Sequence, residues 1–223
     1  MKTRSRNDNN DQKKPPLSYL FSLTFLCLSF LSLLSWSDDF QKGMNAVESG
    51  DFTTAIEIWA RLAEQGESRA QFSLGVMYKF GVGVNQDAEI AVKWWKLAAQ
   101  QGNVNAQFTL GMMYEKGEGV EKDNSSAVRW WMLAADQGHS NAQYNLGLMY
   151  YDGRSVQKDS KTAVKLWKHA AEKGNPDAQY VLGMMYFYGD GVTKDYTYTY
   201  MWSNFAASTG TEMLKKQRNL LPN

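Results

Sequence analysis

The chain has one cysteine and two histidines in 223 residues. The cysteine, Cys27, lies in an apolar run near the N-terminus, so the rest of the chain has no thiol. That excludes a disulfide framework, a cysteine-based zinc site and a cysteine nucleophile from the body. Excess charge is also lacking, the formal net being +1. Residues 1–37 hold five basic groups (Lys2, Arg4, Arg6, Lys13, Lys14) against Asp8 and Asp11. Of 24 basic and 23 acidic residues this leaves 19 and 21, a body of net charge −2. Such a mixed surface offers no general polyanion site, and no nucleic-acid partner is expected. Apolar residues, by contrast, make up 43% of the chain and aromatics 13%, enough to build a core.

The first 37 residues have the order of an address. A basic, polar start is followed by "PP" and then by "LSYLFSLTFLCLSFLSLL" from Leu17 to Leu34. Basic residues before an apolar run keep the N-terminus cytoplasmic. "SWS" at 35–37 places small residues where a signal is cut, which predicts cleavage after Ser37. The run of about 18 residues also approaches the lower limit of a membrane span, so an uncleaved anchor at 17–34 stays open. Either reading exports the body to the periplasm or cell envelope, with the membrane engaged only through this segment.

The body repeats itself every 36 residues: "AQFSLGVMYKFGVG" from Ala70, "AQFTLGMMYEKGEG" from Ala106, "AQYNLGLMYYDGRS" from Ala142 and "AQYVLGMMYFYGDG" from Ala178. Sixteen of the 18 glycines fall in four columns, Gly43 and Gly50 being the exceptions. In one unit Ala70, Leu74, Met77 and Tyr78 have helical spacing, and "GVGV" at 81–84 ends that helix. Asp87, recurring as Asp123, Asp159 and Asp195, reads as the N-cap of a second helix. That helix, 88–100, turns Ala91, Trp95, Ala98 and Ala99 inward. Gly75 and the alanines permit close approach, and the column tryptophans read as core.

The phrase L-G-x-x-Y, followed by G-x-G-V and by D-x-x-x-A-V-x-W-W-x-x-A-A-x-x-G, resembles the Sel-1-like repeat family over roughly residues 38–220. The resemblance implies an all-α, right-handed α-solenoid of stacked antiparallel helix pairs, about five units with a C-terminal capping helix. Residues 38–69 form a divergent capping unit in which Ala55, Trp59, Ala63 and Gly66 fill the columns of Ala91, Trp95, Ala99 and Gly102. Units follow at 70–105, 106–141, 142–177 and 178–210, where Ser203 replaces the column tryptophan. Residues 211–223 contain the final polar-backed helix.

With Leu74, Gly75 and Tyr78 on the packing face, residues 72, 76 and 79 lie on the opposite side of their helix, which lines the concave surface in related solenoids. Down the units these columns read Phe72, Phe108, Tyr144, Tyr180; Val76, Met112, Leu148, Met184; and Lys79, Glu115, Tyr151, Phe187. An apolar ladder there is the footprint of a partner's helix or extended peptide. The alternative is a second core covered by the next unit.

Nothing points to catalysis, a cofactor or a metal. His139 and His169 occupy unrelated positions and read as solvated. The Asp87 column repeats one unit apart, too far to share an ion. "FGVGV" lacks the third glycine, the strand and the lysine of a nucleotide loop. Some exported relatives rich in disulfides are linked to cell-wall-type compounds, but their paired cysteines are absent here. The expectation is a non-catalytic protein-interaction scaffold; the alternative is a protein that binds or hydrolyses cell-wall glycan or peptidoglycan fragments.

Overall fold

The computed structural model describes residues 37–209, which contain ten α-helices and no strand. The address segment 1–36 and the final segment from 210, including the expected capping helix, lie outside the described residues. After α1 (37–48) come α2 (Phe52–Glu64), α3 (Ser68–Phe80), α4 (Ala88–Gln100), α5 (Val104–Lys116) and α6 (Asn124–Asp136). They are followed by α7 (Ser140–Asp152), α8 (Ser160–Glu172), α9 (Pro176–Tyr188) and α10 (Tyr196–Thr209). Each helix packs on the next, so α1–α2, α3–α4, α5–α6, α7–α8 and α9–α10 stack as five pairs of an α-solenoid.

Local chemistry fixes every corner. Asp51, Asp87, Asp123 and Asp159 cap α2, α4, α6 and α8, their carboxylates accepting first-turn amide N–H groups. Asp195 does the same for Thr197 and Tyr198 at the start of α10. The first helix of each later pair ends on Gly81, Gly117, Gly153 or Gly189, all left-handed, whose N–H bonds back to Met77, Met113, Met149 or Met185. A side chain at that φ is strained, which is why the column is glycine.

The core is a row of clusters, each spanning a pair boundary. The cluster of α4 and α5, for example, buries Ala91, Val92, Trp95, Ala98 and Ala99 with Ala106, Leu110 and Met113. Burying each tryptophan is worth enough that truncation to alanine costs roughly 3–5 kcal/mol. Among the described residues no single centre holds the array together; neighbours hold neighbours.

Candidate interaction surface

The ladder is positioned by tryptophan. A Cβ added to Gly75, Gly111 or Gly147 would overlap the indole of Trp95, Trp131 or Trp167, so glycine makes room for the ring. Each indole Nε1–H then donates to a carbonyl on the facing helix: Trp95 to Phe72 at 3.1 Å, Trp131 to Phe108 at 3.2 Å and Trp167 to Tyr144 at 3.1 Å. The residues whose backbones are held this way are the aromatic rungs. In the last pair Ser203 stands in for the tryptophan, and its buried hydroxyl has no partner beside Tyr180's helix.

All twelve ladder residues are half-buried. Phe72 and Val76 pack against the cluster of α4 and α5, and Phe108 and Met112 against that of α6 and α7. Tyr144, Leu148, Tyr151 and Met184 pack against the cluster of α8 and α9. Burial raises the Tyr144 phenol above its ordinary pKa, with the charge of Asp177 adding to it. The leucines on the packing face contrast with these rungs: Leu74, Leu110, Leu146 and Leu182 are at most 4% exposed.

The outer column is tied to the following pair. Lys79 forms an ion pair with Glu118, and Glu115 reaches Arg154 at 3.6 Å. Tyr151 hydrogen-bonds Asp190, which raises the phenol's pKa. Each bond runs 39 residues ahead, to the middle residue of the next G-x-G loop. The hydrogen bond and charge of Lys79 hold Glu118 below the usual carboxylate range. Phe187 instead packs edge-on against Tyr188 and Tyr196, under the ammonium of Lys194.

Three features were not read from the 36-residue columns. Gly43 has the role of Gly75: a Cβ there would overlap Trp59, whose indole donates to the Phe40 carbonyl at 3.4 Å. The loop of the first pair is four residues shorter, so Phe40 is one more rung, recognisable from the shared aromatic-x-x-Gly spacing. The second letter of "AQ" is buried as well. Gln71, Gln107, Gln143 and Gln179 each donate to an alanine carbonyl eight residues back, tying a pair to its predecessor. Lastly, the expectation that both histidines are solvated holds for His169, which is exposed, and fails for His139. His139 caps α7, its Nδ1 accepting from the Ala142 N–H at 3.2 Å, while its ring stacks on Phe108 at 4.4 Å. Its link position, shared with the caps Asn103 and Asn175, was the signal for that role.

Among the described residues no His, Cys, Asp and Glu group is placed to hold a metal ion. No helix there is long and apolar enough to cross a membrane. The Sel1 repeat model matches residues 68–103, 104–139, 140–175 and 176–210, well over half of the chain. The chain belongs to the Sel1 repeat family. Sel1 repeat proteins are typically protein-interaction scaffolds and generally not enzymes. A Sel1 repeat protein from Oxalobacter formigenes is 33% identical, with a TM-score of 0.74 over 79% of this chain and 72% of that one. A protective antigen of uropathogenic Escherichia coli with an SLR fold is 29% identical, with a TM-score of 0.61 over 82% of this chain and 48% of its own. An immunity protein from Pseudomonas aeruginosa shares the fold at 18% identity and a TM-score of 0.53, over 83% of this chain and 70% of its own. No curated protein matches.

Proposed function

We propose that this Sel1 repeat chain is a non-catalytic adaptor of the cell envelope that receives a partner's helix or extended peptide along its concave ladder. The observation that carries the reading is the half-burial of Phe72, Phe108, Tyr144 and Tyr180 with Val76, Met112, Leu148 and Met184, beside leucines that are fully closed off. An apolar edge repeated at every pair, on a backbone held by the tryptophans, meets a ligand preorganised and loses little entropy on binding. Export rests on the basic start and apolar run of residues 1–37.

The test replaces Met112 and Leu148 together by glutamine, which keeps side-chain length, and places a photo-crosslinking residue at Tyr144 in the native cell. A specific adduct, lost in the double variant while the melting temperature falls by only a few degrees, supports the reading. A fall of about ten degrees or more would show that the columns serve the core. Detection of Asp38 as the mature N-terminus would establish cleavage, and full-length chain in the membrane fraction would establish an anchor.

One observation favours a second reading. Tyr188, Tyr196 and Tyr200 on the last pair are 63%, 60% and 62% exposed, and sugars stack on open aromatic rings. Retention on insoluble peptidoglycan, abolished by alanine at these three, would favour a glycan-binding role instead.

A further inference from the structure

The boundary between α5–α6 and α7–α8 departs from the other boundaries in several independent ways. Its cap is a histidine where the neighbouring caps are Asn103 and Asn175. Its G-x-G loop has Ser155 in place of the second glycine, at φ 58°, a left-handed conformation that serine adopts under strain. In the neighbouring boundaries that loop position is pressed against the start of the second helix of the preceding pair, Gly119 on Ala88 and Gly191 on Ser160. Ser155 is exposed where those glycines are half-buried, and the residue at the same offset from it is Asn124, whose Oδ1 is enclosed without a hydrogen-bond partner. Gln143, which ties α7 to α6, also has an unpartnered Oε1.

We propose that this boundary is a pH-sensitive joint of the array, opened when His139 is protonated. The cap works only while Nδ1 keeps its lone pair for the Ala142 N–H. A proton there removes the acceptor and sets a positive charge on a helix N-terminus, where the macrodipole opposes it. The charges at the adjoining helix ends are Glu172 and Lys173 of α8, Asp136 of α6 and Asp177 in the first turn of α9. Of these Lys173 acts on the ring, and α5 presents only the uncharged face of Phe108. Burial lowers the His139 pKa from its ordinary 6.5, outweighing a hydrogen bond to its own backbone that favours the proton, and the charge of Lys173 adds to the lowering. Because the folded value is lowered, the stabilisation is complete above about pH 6.5 and is lost as pH falls through the folded value. Opening moves Phe108, a rung of the ladder, so under the adaptor reading acidification would weaken partner capture; that consequence rests on the function proposed above, whereas the joint itself does not.

The test needs no partner. Melting of the full chain is compared with that of His139→Asn at pH 7.5 and pH 5.0, with the His139 titration followed by NMR. Asparagine caps the neighbouring helices, so this variant keeps the fold. The wild type is expected to lose about 3 °C or more beyond the loss of His139→Asn, with His139 titrating below 6.5. Lys173→Gln is expected to move the titration midpoint up. Equal losses in the two chains, or a His139 midpoint at or above 6.5, would overturn the proposal.

Discussion

Gly111 and Gly183 occupy the same column, yet their substitution should have opposite consequences. Alanine is the better helix former by about 1 kcal/mol, a gain available at both positions. At Gly111 the new methyl group overlaps the Trp131 indole, which is enclosed and donates to the Phe108 carbonyl. Overpacking there costs roughly 1–3 kcal/mol and exceeds the gain. At Gly183 the nearest obstacle is the Ser203 hydroxyl at 2.8 Å, a small group with no hydrogen bond to lose. Gly111→Ala should therefore lower the midpoint of a urea melt, whereas Gly183→Ala should leave it unchanged or raise it. A second residue-scale prediction concerns the glutamine ties. Gln101 donates to Gln71 and Gln137 to Gln107, both at 2.8 Å, but at the third step Lys173 replaces the donor and leaves Gln143 Oε1 unpaired. Gln137 also donates to the Gly102 carbonyl, as Lys173 does to Gly138, so glutamine at 173 can serve both acceptors. Lys173→Gln should stabilise the chain by about 0.5–1.5 kcal/mol in the same melt.

Element by element, the helix starts are where acid acts. Asp123 is held below the usual carboxylate range first by its hydrogen bond to the Ser126 side chain, and Asp159 likewise by Thr162. Their contribution is complete above the ordinary value of 3.8 and is lost as pH falls through the lowered folded values. Asp123→Asn with Asp159→Asn keeps the caps but removes the titration, so acid unfolding followed by circular dichroism should begin at a lower pH and rise less steeply. The capping aspartates, terminating glycines and inward tryptophans were legible in the sequence because each packing demand recurs at one interval. Phe40 and Gly43 were not, because a loop four residues shorter moves them out of the columns. The buried Gln107 column repeats as strictly as Leu110, but a polar letter hides its burial until the facing carbonyl is known. The outer column was legible as a column, while its bonds were not: Lys79 to Glu118 and Glu115 to Arg154 run one period plus three residues. His139 was visible only as a link residue; its stacking on Phe108 depends on how the two pairs meet.

For the whole molecule, those outer bonds carry a pattern that no single boundary shows. The sign alternates, Lys79 facing Glu118 and Glu115 facing Arg154, before Tyr151 meets Asp190. A strictly repetitive array should tolerate removal of one 36-residue unit, since each pair touches only its neighbours. Deleting residues 104–139 keeps every core column in register, and Asn103 takes over the cap that His139 supplied to α7. The same deletion brings Lys79 against Arg154, a like-charge contact at the new boundary. The shortened chain should still melt cooperatively as a four-pair array, at a lower temperature than the full chain. Arg154→Glu should raise that temperature in the shortened chain and lower it in the full chain, where it would face Glu115. Both effects should shrink in high salt, as expected of partly exposed pairs. A change of the same sign in the two chains would show that these bonds do not set which pair follows which. The opposite signs, together with loss of the acid response attributed to His139, would show that order along the solenoid is written at its edge while the tryptophan core accepts any order.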